Sequence, residues 1–167
     1  MIEPSKFSAV AEKYEEENFQ FRAFLKNRAD ADELDEQFLE LHNELFADND
    51  CSKCRNCCKE YGTTLKEEEL KTIAEFLGLT KEEFVDKHLT QSTEGFVIEA
   101  LCCFLKENGE CEIEACKPTS CKEFPHTNKP ERLWSLLGVI DFAQVCPVVF
   151  EILQRLKRIY GFRSRVR

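Results

Sequence analysis

The sequence has no long apolar run, and this absence limits where the protein can reside. The residues from Met1 to Phe7 are polar and no apolar stretch follows them, so the sequence predicts no secretory signal. The most apolar span, Leu133 to Phe150, is interrupted by Asp141, Gln144 and Pro147, which excludes a membrane-spanning helix. We therefore expect a cytoplasmic protein that does not enter a membrane.

The sequence is also poor in the residues that nucleotide cofactors and acid–base catalysis require. Its 167 residues include six glycines and no glycine-rich loop that could cradle an adenosyl cofactor. Three scattered histidines provide no Ser–His–Asp arrangement. The net charge of −9 argues against a general nucleic-acid or anionic-membrane binder, because both need a basic face. The sequence therefore assigns no catalytic residue and leaves enzymatic activity open.

The charge is unevenly distributed and divides the chain near residue 50. Residues 1–50 hold 14 acidic and five basic side chains, residues 51–167 hold 18 of each, and the first cysteine is Cys51. Apolar residues at helical spacing in 7–25 and 34–45 predict two amphipathic helices. We therefore expect an acidic N-terminal helical hairpin at 1–50. A cysteine-cluster domain with a C-terminal helix and a basic tail is expected at 51–167.

Two helices are predicted early in the cysteine-rich part. Capping-box patterns begin at Thr64 and Thr80, and Gly78 lies where a left-handed C-cap belongs. These signals predict helices at 66–77 and 81–88. We interpret the pair as scaffold, because the second helix carries an acidic excess that is poor for approaching DNA phosphates.

A small β-hairpin is predicted next, so the expected fold is mainly α with a β-hairpin, loop-rich and held together by metal. The apolar run from Phe96 to Leu105 indicates a strand, and Asn108–Gly109 is a strong turn signal. A two-residue turn would place Lys106 opposite Cys111 and leave Cys102 about 13 Å further along the strand. Either the two cysteines serve different metal centres or the pairing is irregular.

Ten cysteines are the most unusual feature of the composition. Four form a C-x-x-C-x-x-C-C motif and six follow it; in order they are Cys51, Cys54, Cys57, Cys58, Cys102, Cys103, Cys111, Cys116, Cys121 and Cys146. In a reducing compartment such density indicates metal binding rather than disulfides. Two residues between cysteines allow both sulfurs to face one ion. The adjacent pair Cys57 and Cys58 diverges, so one of the two is expected to face a different centre or a different iron.

The last cysteine lies next to the expected start of a helix. Cys146 precedes Pro147, and proline is favoured in the first helical turn, so we expect the final helix to begin near Pro147. The free amides of that turn would stabilise a thiolate at Cys146. A C-x-x-C-x-x-C run with a remote Cys-Pro is also how bacterial ferredoxins hold cubane clusters, although the separation here is different and the analogy is only chemical.

Taken together, these motifs resemble the zinc- or iron-chelating cysteine-cluster (CxxCxxCC) family, which is related to the cysteine cluster of flagellin lysine methylases. The matching stretches are Cys51–Cys58, Leu65–His88, Cys102–Pro125 and Cys146–Pro147. The resemblance implies eight metal ligands: Cys51, Cys54, Cys57, Cys58, Cys102, Cys111, Cys121 and Cys146. Cys103 and Cys116 fall outside the pattern, and Arg55 stands where the family usually has glycine.

The residue types do not determine which metal is bound. Thiolates bind zinc and iron–sulfur clusters alike, and eight of them fit two zinc sites, one 4Fe-4S cluster plus one zinc, or two clusters. Cations beside the ligands would offset the negative charge of such centres: Lys53, Arg55, Lys59, Lys117 and Lys122. We interpret His126 as a surface or ligand-supporting residue, and His42 and His88 as residues without a chemical role.

Three functions follow from these observations. The leading hypothesis is a zinc or iron–sulfur centre that supports redox or group-transfer chemistry, such as modification of a protein side chain, with a protein as substrate or partner. The first alternative is a purely structural zinc-binding interaction module. The second is a thiol redox or metal-handling protein, for which Cys103 and Cys116 are the candidate residues.

Overall fold

A computed structural model describes residues 4–93 and 95–164, with the backbone alone for residues 4–6 and 8. This part of the chain is mainly helical and has a small antiparallel sheet, which confirms the predicted fold class. Its contacts group it into two compact units. The helical unit combines the residues up to Asp50 with those from Pro125 onward, and the cysteine unit is Cys51–Phe124.

The bounds of the elements in chain order are as follows. The helices are α1 (Pro4–Ala11), α2 (Glu15–Arg28), α3 (Ala31–Ala47), α4 (Cys51–Cys54), α5 (Asn56–Glu60), α6 (Glu67–Leu77), α7 (Lys81–His88), α8 (Thr119–Glu123), α9 (Arg132–Val145) and α10 (Pro147–Ile159). The strands are β1 (Thr63–Leu65), β2 (Thr90–Ser92) and β3 (Gly95–Ile98). Within residues 4–93 and 95–164, no helix has the length and apolarity needed to cross a membrane.

In the helical unit, α9 contacts α1, α2, α3 and α10. Apolar side chains on several sides of α9 are buried: Leu133, Leu136, Val139, Ile140 and Ala143. A helix that is apolar on most of its surface is stable only when other elements cover it. The sequence assigned residues 125–167 to the cysteine-rich domain, whereas their helices pack with the first fifty residues, because those residues supply the apolar faces that cover α9 and α10.

The helix predicted over 7–25 is divided in the structure into α1 and α2 by a 3₁₀ turn at Glu12–Tyr14, and the helix predicted over 34–45 lies within α3. Asp30 is the N-cap of α3, and its Oδ1 accepts hydrogen bonds from the amides of Asp32 at 3.0 Å and Glu33 at 3.1 Å. The apolar stripes of α2 and α3 are buried in the core of the helical unit: Phe21, Leu25, Leu34, Phe38 and Leu41. The helical spacing of the sequence therefore identified the buried faces of both helices.

The cysteine unit is built on a three-stranded antiparallel sheet in the order β1–β3–β2. Thr63 pairs with Ile98 on one side of β3, and Thr90 pairs with Val97 on the other. A small core packs beside the sheet, and its largest fully buried members are Leu70, Ile73, Phe84, Ile98, Phe104 and Ile113. The core is small, as expected for a unit of this length.

The predicted helices of this unit are confirmed, but one of the predicted caps is wrong. The helix α6 ends at Gly78, whose φ of 71° is the left-handed conformation of a C-cap, and Thr80 caps α7 in a box with Glu83. Thr64, by contrast, lies in β1 and pairs with Val97. The N-cap of α6 is Lys66 instead, because its backbone amide donates to the Glu69 side chain at 2.8 Å and the β-branched Thr64 suits a strand.

The predicted hairpin register around Asn108–Gly109 is also wrong. Cys111 pairs with Leu105 rather than with Lys106, and the Lys106 amide donates to the Glu110 carbonyl at 2.9 Å. The turn therefore contains three residues and uses Gly109 at a φ of 84°. The regular strand ends at Ile98, well before Leu105, so the pairing is the irregular one of the two alternatives.

The first turn of α9 is held by a side chain from α3. The carboxylate of Asp35 accepts hydrogen bonds from the amides of Glu131 and Arg132, each at 2.7 Å. Glu131 has a φ of 66°, a left-handed conformation that non-glycine residues rarely adopt. Asp35 therefore satisfies two amides that the helix itself leaves unpaired.

We expect Asp35→Ala to lower the free energy of unfolding by about 1–2 kcal/mol, because it removes a helix cap from two donors. Asp35→Asn retains an acceptor oxygen and should lose less. Glu36→Ala, at an exposed position of the same helix, is the control and should change stability by less than about 0.5 kcal/mol. Urea unfolding measures all three, and equal stability of the Asp35→Ala and Glu36→Ala proteins would contradict the capping role.

Candidate metal centre

Four cysteines of the cysteine unit lie near enough for a charge on each to affect the others. For every pair in this set, a negative charge on one sulfur raises the pKa of the other. The four come from separate segments of the chain: Cys58 in α5, Cys102 after β3, Cys111 in the Leu105–Cys111 turn and Cys121 in α8. We refer to them as the four-thiol cluster.

Backbone hydrogen bonds hold two of these segments together. The Cys102 amide donates to the Cys58 carbonyl at 2.8 Å, and the Leu101 amide donates to the Lys59 carbonyl at 3.0 Å. Leu101 has a φ of 58°, which turns the chain sharply after β3. The loop that carries Cys102 is therefore fixed against α5.

Cys111 reaches the cluster through the turn described above. The Leu105 amide donates to the Cys102 carbonyl at 3.0 Å, so the chain folds back within three residues of Cys102. Cys111 pairs with Leu105 at that fold. The separation of about 13 Å expected for a straight strand does not apply, because the chain between Cys102 and Leu105 is a turn.

Polar contacts fix the helix that carries Cys121. The Ser120 hydroxyl donates to the Thr64 carbonyl at 3.0 Å and accepts from the Thr63 hydroxyl at 2.6 Å, which joins α8 to β1. Thr63 also hydrogen-bonds the Cys121 side chain and partly lowers its pKa. Thr63 and Ser120 could not be recognised from the sequence, because single hydroxyl residues beside a cysteine have no diagnostic spacing.

The four thiols do not ionise equally. The hydrogen bond from Cys57, followed by the positive charges of Arg55 and Lys117, lowers the pKa of Cys58 to about 6. Burial raises the pKa of Cys102 and Cys111, and it raises the pKa of Cys121 to about 11 although part of that residue is exposed. Without a metal, Cys58 therefore carries the first negative charge of the cluster.

Arg55 closes the first cysteine loop. It has a φ of 51°, in the region that favours glycine, and this explains why glycine suits the position. Its Nε donates to the Gly109 carbonyl at 2.9 Å, and its guanidinium contacts Glu114 at 3.4 Å. These bonds offset the backbone strain of about 1–2 kcal/mol and place a cation near Cys58.

The other four predicted ligands occupy different positions. Cys51 and Cys54 are the first and last residues of α4, and Cys57 hydrogen-bonds the sulfur of Cys58. Cys146 belongs to the helical unit, where it is the N-cap of α10 with Pro147 in the first turn. The predicted start of the final helix is confirmed, and the role of these four cysteines as ligands stays a prediction.

The lysines, the remaining cysteine and the first histidine have different surroundings in the structure. The positive charge of Lys117 favours the thiolates of Cys58 and Cys111, and that of Lys122 favours the thiolate of Cys116. Burial, followed by the charge of Cys111, raises the pKa of Cys116. His42 lies in the helical unit with its Nδ1 2.8 Å from the Thr127 hydroxyl.

The donors of the cluster suit soft metals. Among the residues described here, no three His, Cys, Asp or Glu side chains stand at distances that would hold a metal ion without movement. The four-thiol cluster is thus a set of neighbouring donors rather than a closed coordination shell. Sulfur donors beside cations fit zinc or an iron–sulfur cluster and fit hard ions such as Mg²⁺ poorly.

The cysteine unit is therefore a thiol-rich domain whose donors suit soft metals. The chain belongs to the CxxCxxCC family, described as "Putative zinc- or iron-chelating domain", whose model matches residues 50–147. This range covers the four-thiol cluster and all eight predicted ligands. No curated protein and no solved structure matches the chain, so the link to flagellin lysine methylases stays a prediction from resemblance.

In the metal-free protein, we expect Cys58 to be the first of the four thiols to react with iodoacetamide as the pH rises. The reactive form is the thiolate, and Cys58 ionises near pH 6, whereas Cys121 ionises near pH 11. Peptide mapping by mass spectrometry between pH 5 and pH 8 should show half-labelling of Cys58 within this range and little labelling of Cys121.

Substitution of the neighbouring cation tests the cause. Arg55→Met should move half-labelling of Cys58 to a higher pH, because a positive charge that favours the thiolate is lost. Lys59→Met removes a cation that is adjacent to Cys58 in sequence but is not one of the charges that lower its pKa, and it should leave the labelling curve unchanged. Identical shifts in the two variants would contradict the assignment.

Proposed function

We propose that this protein binds zinc or an iron–sulfur cluster, and that Cys58, Cys102, Cys111 and Cys121 are the ligands of one such centre. The mutual influence of these four sulfurs supports the proposal, because thiols from four chain segments are brought together in one small unit. Metal binding would require these side chains to close around the ion, because no three donors of the described residues stand at ligand distances in this structure. The remaining predicted ligands, Cys51, Cys54, Cys57 and Cys146, are proposed to complete the metal-binding set.

The electrostatics of the cluster favour this assignment. A zinc ion with four thiolates carries a net charge of about −2, which is unfavourable in a partly buried position. Arg55 and Lys117 lie near Cys58, and Lys117 also acts on Cys111. The two cations would offset the charge of the centre. Metal binding would replace the thiol protons, so the high pKa of Cys102, Cys111 and Cys121 would make metal affinity fall as the pH is lowered.

A metal at this position would also stabilise the unit. A structural zinc site contributes about 10–16 kcal/mol to folding, which is comparable with the whole net stability of a domain, about 5–15 kcal/mol. The centre would link residues from Cys58 to Cys121, which span nearly the whole cysteine unit. We therefore propose that the metal holds the fold of the cysteine unit.

We also propose that the metal centre has a chemical role. A 4Fe-4S cluster would supply redox or group-transfer chemistry, for example in the modification of a protein, and we propose a cytoplasmic location in which the thiols stay reduced. The zinc alternative leaves a structural interaction module. The description of the CxxCxxCC family names both zinc and iron, so it supports the two alternatives equally.

The metal itself is identified by purification without oxygen, followed by measurement of Fe, Zn and acid-labile sulfide and by a visible spectrum. A brown protein with labile sulfide supports the cluster, and a colourless protein with stoichiometric zinc supports the structural module. Protein that contains neither metal and unfolds cooperatively regardless of chelators would refute metal binding altogether.

We expect Cys58→Ser, Cys102→Ser, Cys111→Ser and Cys121→Ser each to reduce the metal content by about one centre and to lower the melting temperature, since a hydroxyl is a poor ligand for soft metals. Cys116→Ser removes a cysteine that the family pattern does not include and serves as the matched control. Elemental analysis and thermal unfolding are measured together. Full metal content in all four variants would contradict the ligand assignment.

A further inference from the structure

A second pair of metal-binding side chains lies outside the four-thiol cluster. The Sγ of Cys103 and the Nδ1 of His88 are 3.7 Å apart. His88 is the last residue of α7, and Cys103 follows the sharp turn at Leu101. Neither residue belongs to the proposed ligand set, and the sequence pattern alone indicates no chemical role for His88.

The histidine ring is held in place by its neighbours. Its centroid is 5.7 Å from that of Phe84 and 5.0 Å from that of Phe104, and both phenylalanines are fully buried. His88 is half-buried, whereas Cys103 is exposed. The pair is therefore positioned by the core and open to solvent on the sulfur side.

The separation of the two atoms matches one edge of a tetrahedral metal site. Zinc binds sulfur at about 2.3 Å and imidazole nitrogen at about 2.0–2.1 Å, which places the two donors about 3.6 Å apart at the tetrahedral angle. The observed 3.7 Å differs from this value by less than the usual variation of such sites. The distance between the two donor atoms therefore allows one ion to bind both.

A carboxylate adds to the attraction for a cation. The Glu112 amide donates to the Phe104 carbonyl at 2.8 Å, which places Glu112 beside the segment that carries Cys103. Its negative charge acts on both donors, and Lys87 places an opposing positive charge near His88. The carboxylate would partly offset that positive charge and attract a divalent ion to the pair.

We propose that Cys103 and His88 form a second, solvent-accessible binding site for a thiophilic divalent ion such as zinc, in addition to the centre at the four-thiol cluster. Binding releases the Cys103 thiol proton to solvent, and the two other positions of a tetrahedral ion are taken by water or by an added ligand. Two protein ligands bind less tightly than four, so ions at this site exchange with solution.

The test is a cobalt titration of the full-length protein that already contains its own metal. Co²⁺ replaces zinc in such sites, and its bond to a thiolate gives a charge-transfer absorption band. We expect the wild-type protein to bind one Co²⁺ per chain beyond its resident metal, with this band. Cys103→Ser should abolish the band, and it leaves the core intact because Cys103 is exposed.

The variant His88→Phe preserves the ring between Phe84 and Phe104 and removes the nitrogen. It should weaken the binding of the additional Co²⁺ by about tenfold or more, which corresponds to at least about 1.4 kcal/mol. Cys116→Ser is the control and should match the wild type. His88→Gln is a second variant in case the phenyl ring disturbs packing, and it should also weaken cobalt binding.

Two results would overturn the site: a wild-type protein that binds no additional Co²⁺, or an unchanged charge-transfer band in Cys103→Ser. The proposed function is checked separately, because elemental analysis before the titration gives the resident metal. Protein that contains neither metal and unfolds cooperatively regardless of chelators would refute that function. The difference between the wild-type and Cys103→Ser titrations would still report on the second site.

Discussion

Thiolates held side by side repel one another, and this repulsion is the constraint on which the arrangement of the cysteine unit depends. Cys58 ionises most readily, and each further ionisation in the four-thiol cluster is opposed by burial and by the charge already present. Hydrogen bonds, such as that from Cys57 to Cys58, and positive charge offset this cost. Arg55 and Lys117 supply part of the positive charge, and the metal that we propose for the cluster would supply the rest. Donor placement and charge balance are therefore two aspects of one physical problem.

Arg55 connects the local backbone with the electrostatics of the cluster. Its left-handed backbone closes the first cysteine loop, and its side chain reaches the Gly109 carbonyl at the three-residue turn that leads to Cys111. A glycine at this position would relieve backbone strain but would provide neither the bond nor the charge. The same residue therefore shapes the loop, anchors the turn and favours the Cys58 thiolate.

Sequence reasoning succeeded where the signal was local and failed where another segment decided the outcome. Gly78 determines the end of α6, and Thr80 and Pro147 determine the starts of α7 and α10, because caps act within one helical turn. Thr64 also has a capping-box pattern, but pairing with Val97 places it in a strand. The turn after Lys106 contains three residues rather than the predicted two. Its register is set by the hydrogen bond from the Lys106 amide to the Glu110 carbonyl, which the Asn–Gly signal does not record.

The sequence by itself determined the chemical character of the protein and most of its helices. The abundance and spacing of cysteine indicate soft-metal binding, and helical periodicity identifies buried faces, because both are properties of short segments. Only the tertiary structure decided which four thiols are neighbours, which helices cover α9, and that His88 meets Cys103. These contacts join residues that are distant in the chain, and the physical reason is that such contacts depend on how whole elements pack, which no local pattern records.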